Sequence, residues 1–117
     1  MPSRTQVLRR QAFHRQSGRC WYCSVRMWLA SPKELSRPGA AASAVKLRCT
    51  AEHLVAQCEG GGHTAQNIVA ACAHCNHTRH KRKVPPAPDA YREEIRRRTR
   101  RGAWHPRWVF EQQLLQM

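Results

Sequence analysis

Acidic side chains are scarce in this sequence, and it contains no long apolar run. Its 117 residues include 7 Asp and Glu against 21 Lys and Arg, so the formal net charge is +14. A surplus of this size repels itself and favours a polyanionic partner. No apolar stretch approaches the ~20 residues that a membrane span needs, and the segment MPSRTQVLRRQAFHRQ lacks the apolar core of a signal peptide. We therefore expect an intracellular, cytoplasmic protein with no membrane partner and no small-molecule cofactor.

The chain length is typical of one domain, and we predict a single domain over residues 1–117. Alternating apolar residues from Ala44 predict a strand that ends at Glu52 and His53, and the apolar run after Asn67 predicts a second strand that pairs with it as a hairpin. The other predicted elements are a helix over Thr5–Arg15, a loop from Ala30 to Ala44, a helix over Asn76–Lys83, a helix capped by Asp89 and ended by Gly102, and a short helix near Pro106.

Six cysteines are present, and four of them form two Cys-x-x-Cys pairs. Each such turn places two thiolates on one side of a tetrahedron, so two turns supply the four ligands of a structural zinc ion. The predicted ligands are Cys20, Cys23, Cys72 and Cys75. A redox motif and two disulfides are the alternatives, but the chain lacks the βαβ setting of the first and the oxidising compartment of the second. Cys49 and Cys58 are interpreted as small buried hydrophobic residues.

One glutamate stands out among the few acids, because Glu52 directly precedes a histidine, His53, at the predicted end of a strand. Phosphodiester hydrolysis with one metal requires a base that deprotonates water and a hard cation on the phosphate. A carboxylate in so basic a chain indicates a cation to hold. The alternatives are a salt bridge to a nearby arginine for Glu52 and a buried, hydrogen-bonded role for His53.

The segment AEHLVAQCEGGGHTAQNIVAACAHCNHTRH, with GRCWYCS upstream, resembles the HNH endonuclease family. Five spaced features carry the resemblance: a Cys-x-x-Cys pair, an acid followed by histidine, a glycine loop, an asparagine before two aliphatic residues, and a second Cys-x-x-Cys followed by asparagine. They cover a core of about 18–83, followed by a basic helical extension over 85–117. The resemblance implies an α+β fold, a small zinc-stabilised ββα-metal domain with flanking N- and C-terminal helices.

The resemblance also implies a role for each motif residue. His53 would be the general base, and Asn67 would fix the orientation and tautomer of its ring from across the hairpin. The catalytic ion, Mg²⁺ or Mn²⁺, would be bound by Glu52, Asn76 and His80. Asn76 in the third motif position makes this an H-N-N variant. The products would carry 5′-phosphate and 3′-hydroxyl ends.

Eleven of the 21 cations lie beyond Thr78, and we expect them to contact DNA phosphates. The predicted interface residues are Arg79, Lys81, Arg82, Lys83, Arg96, Arg97 and Arg100. No sequence-reading module is evident, so we expect low sequence specificity and a monomer or weak dimer, of the kind found in phage genomes or mobile elements. Two other functions stay open: a non-catalytic zinc-dependent nucleic-acid-binding module and a toxin-like RNase with the same core.

Overall fold

The computed structural model describes residues 1–35 and 41–115. Two strands of this part of the chain, β1 (Cys49–His53) and β2 (Ile68–Cys72), pair antiparallel, with Cys49 opposite Cys72 and His53 opposite Ile68. The helices are α1 (Arg4–Arg15), α2 (Ala41–Ala44), α3 (Ala73–Lys81), α4 (Pro88–Arg100) and α5 (Arg107–Glu111). Short 3-10 helices cover Pro32–Glu34, Val45–Leu47 and Gln57–Glu59. The hairpin followed by α3 confirms the predicted small α+β fold of ββα type.

The hairpin is packed against α1. β2 is buried along its whole length, and the small side chains of Ala70 and Ala71 let neighbouring elements approach closely. α1 contacts both strands. Side chains at its carboxyl end donate to β2 carbonyls, Arg15 to Ile68 at 3.4 Å and Gln16 to Ala70 at 2.9 Å. These bonds satisfy carbonyl groups at the edge of β2 that faces away from β1.

α3 begins where β2 ends, and one cysteine joins the two. Cys72 occupies the N-cap of α3, and its sulfur accepts the amide hydrogen of Cys75 at an N–S distance of 3.4 Å. The second Cys-x-x-Cys turn is therefore also the first turn of the helix. Arg79, His80 and Lys81 occupy the last turn, where positive charge suits the helix dipole.

The hydrophobic core joins the first Cys-x-x-Cys turn, the hairpin, α4 and α5. α4 buries Tyr91, Ile95 and Thr99, which lie four residues apart on one face. The Tyr91 ring packs edge-on against Tyr22, with the centroids 4.9 Å apart. Val109 of α5 is fully buried in the same core, so the segment after α4 is part of the packed structure.

Several predicted boundaries are corrected by the structure. The first strand begins at Cys49 and not at Ala44, because the alanine-rich segment before it forms α2 and the next three residues form a 3-10 helix. Val45 is consequently exposed. The loop predicted from Ala30 to Ala44 contains the helix Pro32–Glu34 and α2, and its residues 36–40 lie outside the described residues.

The N-cap of α4 and the burial of one cysteine differ from the predictions. Ala87 is the N-cap of α4, Pro88 stands at its start and Asp89 lies in its first turn, so Asp89 is not the predicted cap. Cys49 is buried as expected, but Cys58 is exposed because the 3-10 helix Gln57–Glu59 lies at the surface.

Among the described helices, none combines the length and apolar character that crossing a membrane demands.

Candidate active site and metal centre

The carboxylate of Glu52 is buried near the end of β1 and receives three polar contacts. The Tyr22 hydroxyl donates to Oε2 at 3.0 Å, and Arg79 Nη1 donates to the same oxygen at 3.2 Å. His80 Nε2 lies 3.0 Å from Oε1. A buried charge is stable only when it is paired and hydrogen-bonded, and these three groups supply both conditions. The arginine partner matches the alternative raised for Glu52 from the sequence.

His53, the next residue, is half-buried. Its Nε2 lies 3.1 Å from Nδ1 of His63. Burial, and secondarily the positive charge of a protonated His63, lower the pKa of His53. The neutral ring is therefore favoured. A neutral imidazole keeps one ring nitrogen with the lone pair that a general base needs.

His63 is not among the site residues predicted from the sequence, yet it forms the side-chain contact to the His53 ring. Thr5 Oγ1 of α1 lies 3.3 Å from its Nδ1, and the side-chain amide nitrogen of Gln57 lies 2.8 Å from its Nε2. The signal in the sequence is its position directly after three glycines. That loop folds back far enough for its last side chain to meet the residue that ends β1.

Asn67 is placed differently from its predicted role. Its Nδ2 donates to the carbonyls of Val55 and Gly62, each at 3.0 Å, and its Oδ1 accepts the Val55 amide at 2.8 Å. Within the described residues it makes no hydrogen bond to the ring of His53. Asn67 therefore holds the backbone two residues beyond His53, and His63 contacts the ring.

Asn76 and His80 lie one turn apart on α3, on the face toward β1. Asn76 Nδ2 donates to Thr50 Oγ1 at 3.0 Å and to the Ala51 carbonyl at 3.3 Å, which directs its nitrogen to the strand and leaves its oxygen available. Two ligands at right angles around an ion bonded at about 2.1 Å are about 3 Å apart. The 3.0 Å between Glu52 Oε1 and His80 Nε2 matches that separation. The Glu52–His80 separation is therefore compatible with two ligands of a small divalent ion, as well as with the direct contact between the two side chains.

Four thiols form a second, separate cluster. The sulfurs of the two Cys-x-x-Cys pairs all lie within 4.8 Å of one another, and all four residues are buried. Tetrahedral ligands bonded at about 2.3 Å to zinc are roughly 3.8 Å apart, and Cys23 Sγ and Cys72 Sγ are separated by 3.9 Å. Burial raises the pKa of Cys20, but hydrogen bonds from Cys23, Cys72 and Cys75 outweigh it and lower that pKa well below its ordinary value. The cluster suits a structural zinc ion.

The matched family agrees with this geometry. Residues 42–82 match the family model described as HNH endonuclease. Over these residues the chain is similar to the HNH endonuclease family. The matched segment contains β1, β2 and α3 and therefore every residue of the Glu52 site described above except Tyr22. No curated protein and no solved structure matches the chain.

Tyr22 links the HNH segment to the thiol cluster from outside the matched residues. It lies between Cys20 and Cys23, and its hydroxyl donates to Glu52. Burial, followed by the negative charge of Glu52, raises the pKa of Tyr22, so the phenol stays protonated as a donor. The sequence shows an aromatic residue between two metal ligands, but not that it reaches an acid 30 residues away.

Two cations predicted to bind DNA are engaged inside the protein. Arg79 is buried and donates to Glu52 and, through Nε, to the Pro86 carbonyl at 3.0 Å. Arg96 donates to the Trp21 and Tyr22 carbonyls at 3.3 and 3.0 Å. The buried guanidinium of Arg79 is therefore not available to a phosphate, whereas that of Arg96 is half-buried and already bonded to two carbonyls. The other five predicted cations are exposed: Lys81, Arg82, Lys83, Arg97 and Arg100. Arg82 is partly neutralised by Glu94 at 2.9 Å.

Proposed function

We propose that the chain is a metal-dependent endonuclease that hydrolyses phosphodiester bonds in DNA. The observation that carries the proposal is the pair Glu52 and His53 at the end of β1, with His80 of α3 at 3.0 Å from the carboxylate, inside the segment that matches the HNH family. This arrangement sets a neutral base beside a carboxylate–imidazole pair that fits a small cation. Both are requirements of single-metal hydrolysis.

Each side chain has a distinct part in the proposed reaction. His53 takes a proton from the attacking water, and His63 orients its ring. Glu52, Asn76 and His80 would hold Mg²⁺ or Mn²⁺, while Tyr22 and Arg79 hold the carboxylate of Glu52 in place. A divalent ion bound there would supply positive charge toward the phosphate and the leaving 3′ oxygen. The products carry 5′-phosphate and 3′-hydroxyl ends, and Cys20, Cys23, Cys72 and Cys75 hold a structural zinc ion.

The proposed DNA-binding surface includes a groove beside α3. Its volume is about 220 Å³, and its lining includes Lys46, Arg48, His77 and Lys81 but no acidic residue. Within the described residues none of these four side chains takes part in an ion pair. Converging cations without an acid to neutralise them favour an anion, and a phosphodiester backbone is the anion that this enzyme would meet. The exposed Lys83, Arg97 and Arg100 extend the positive surface.

The activity is tested by incubating supercoiled plasmid with the purified zinc-loaded protein and a series of divalent ions. We expect nicking or cutting with Mg²⁺ or Mn²⁺, and a loss of at least about 100-fold in His53→Ala, because a positioned base contributes roughly that much. His14→Ala is the matched control, since His14 is an exposed histidine of α1. Binding to the plasmid, measured by gel shift, is expected to be unchanged in both variants.

Two outcomes would contradict the proposal. Undiminished cleavage by His53→Ala would show that this residue is not the base. Plasmid binding without cleavage in any metal would favour the non-catalytic nucleic-acid-binding module. The contact that supports this alternative is the ion pair between Arg79 and Glu52 at 3.2 Å, in which the carboxylate is paired with an arginine. An RNA substrate in the same series distinguishes the RNase, which would cut RNA and leave the plasmid intact.

The groove is tested by the salt dependence of DNA binding. Each phosphate contact contributes about one unit to the slope of log K against log salt concentration. We expect the double variant Lys46→Gln, Arg48→Gln to reduce the slope by about two. The control Lys33→Gln, Arg107→Gln removes the same charge at exposed positions outside the groove and is expected to keep the slope. Equal slopes for both double variants would exclude the groove from the interface.

A further inference from the structure

Nitrogen atoms surround the sulfurs of the thiol cluster at hydrogen-bond distance. Two of them belong to side chains that follow α4, far from the cysteines in the sequence. Backbone amides donate to three sulfurs: Cys72 N to Cys20 at 3.2 Å, Val25 N to Cys23 at 3.4 Å and Cys75 N to Cys72 at 3.4 Å. Cys75 is the fourth sulfur. It accepts a hydrogen bond from the indole N–H of Trp104, with a nitrogen–sulfur distance of 3.3 Å. A side chain therefore takes the place that a backbone amide fills at the other three sulfurs.

His105 adds a second side-chain contact to the cluster. Its Nε2 lies 3.2 Å from Cys23 Sγ. The residue is buried, and its other ring nitrogen, Nδ1, has no hydrogen-bond partner among the described residues. A buried imidazole with one unpaired nitrogen is costly unless the other nitrogen makes a strong bond. A thiolate bound to a metal is such an acceptor, since hydrogen bonds to charged groups are stronger than neutral ones.

The backbone of this segment is shaped to deliver both side chains. After α4 ends, Trp104 has a φ of 83°, in the left-handed region that a bulky residue rarely adopts. Strain of this kind persists when surrounding contacts determine the conformation. Here the contacts are the indole–sulfur bond, the His74 ring at a centroid distance of 4.4 Å and the Arg98 guanidinium at 5.5 Å from the Trp104 ring.

We propose that Trp104 and His105 are part of the metal centre, as two N–H donors that stabilise its thiolates. This inference rests on the proposed zinc ion. Four thiolates and one Zn²⁺ carry a net charge of −2 in a site whose four cysteines are all buried, and such a charge needs nearby donors. The segment after α4 then belongs to the metal centre and is not an appended tail. Outer groups of this kind alter metal affinity by about 10–100-fold.

Metal competition measures the effect directly. Zinc-loaded full-length protein is titrated with a chromophoric chelator, and Trp104→Phe is expected to weaken zinc binding at least about tenfold, because phenylalanine keeps the ring and removes the donor. His105→Leu is expected to weaken it similarly, and His105→Gln to restore part of the loss through its amide N–H. Trp108→Phe is the matched control. Its indole nitrogen is buried in the same segment but has no hydrogen-bond partner among the described residues.

Cobalt substitution supplies a readout that packing alone would not change. Co²⁺ bound to four thiolates shows sulfur-to-metal charge-transfer bands, and their energy responds to hydrogen bonds on sulfur. We expect the bands to shift in Trp104→Phe and His105→Leu and to stay unchanged in Trp108→Phe. Equal affinities and identical bands in all variants would overturn the inference and leave the zinc site intact. A wild-type protein that shows no tetrathiolate spectrum would instead overturn the zinc proposal itself.

Discussion

The ion pair of Arg79 and Glu52 shows how a strongly basic chain retains a buried carboxylate. The two side chains are 7% and 3% exposed and their charged atoms lie 3.2 Å apart. The Tyr22 hydroxyl also donates to this carboxylate, and His80 Nε2 lies 3.0 Å from Glu52 Oε1. Arginine suits this position better than lysine, because its fork can donate to Glu52 and to the Pro86 carbonyl at once. The same side chain therefore supports the candidate active site and anchors the segment that follows α3.

Removing one member of the Arg79–Glu52 pair should destabilise the folded protein. We expect Arg79→Met to lower the free energy of unfolding by about 3 kcal/mol, because it leaves the Glu52 charge buried without its cation. Arg82→Met is the control, since the Arg82–Glu94 pair is partly exposed and should contribute at most about 1 kcal/mol. Urea unfolding of the zinc-loaded proteins, without added Mg²⁺ or Mn²⁺, measures both. Equal values for the two variants would mean that Glu52 does not depend on Arg79.

At the scale of elements, the connection between β1 and β2 determines where His53 and His63 meet. Gly61 lies directly against the backbone that Asn67 holds. A Cβ at this position would overlap the Val55 carbonyl and lie 2.9 Å from Asn67 Nδ2. Its amide also donates to the Ala56 carbonyl at 2.9 Å. The glycine is required here by the close approach of two backbone segments, not by a positive φ.

Two neighbouring glycines provide a matched pair of variants. We expect Gly61→Ala to lower the free energy of unfolding by about 3 kcal/mol, because the overlap forces the backbone of the loop to move. Gly62→Ala should change it by at most about 0.5 kcal/mol, since a Cβ there meets only Thr64 Cγ2 at 3.8 Å. Thermal or urea unfolding distinguishes them. Equal stability of the two variants would exclude the close approach of Gly61 to the Val55 carbonyl as a constraint on the loop.

At the scale of the whole molecule, the thiol cluster joins parts of the chain that are far apart in the sequence. It brings the turn at Cys20 to the start of α3, and the Tyr22 hydroxyl extends from this turn to Glu52. Tyr91 of α4 also donates to the Cys75 carbonyl at 2.8 Å. The net charge of +14 opposes compaction. Metal binding at this cluster would therefore support both the fold and the geometry of the candidate active site.

Loss of one thiol ligand should consequently unfold the domain. We expect Cys72→Ser to abolish cooperative thermal unfolding and stoichiometric zinc, because structural zinc supplies folding free energy on the order of 10 kcal/mol in small metallodomains. Cys58→Ser is the control, since Cys58 is exposed and outside the cluster. Circular dichroism melting and metal analysis report both properties. An unchanged melting curve for Cys72→Ser would contradict the role of the cluster.

Local patterns were sufficient for the hairpin, α3 and the grouping of the four cysteines. Two strands of alternating or continuous apolar residues, separated by a glycine loop, have few other ways to bury themselves. The predicted start of β1 was wrong for two reasons. Alanine-rich segments favour helix, and the residues before β1 form one. In addition, a short helical turn followed by a strand can show the same alternation of apolar and polar residues as a longer strand that begins at Ala44. The prediction that Cys58 is buried was wrong, because a 3-10 helix places this residue at the surface.

The contacts that complete the site depend on residues far apart in the chain. Thr5 reaches His63 across 58 positions, Arg96 reaches the Tyr22 carbonyl across 74, and His105 reaches Cys23 across 82. No spacing rule predicts such pairs, since they follow from how α1, α4 and the segment after α4 pack around the hairpin. The amino-acid order alone specifies the motif, its two Cys-x-x-Cys pairs and its charge, because these depend on neighbouring residues. Packing decides which histidine contacts His53 and which arginines stay exposed, because a side chain's partners depend on the whole fold.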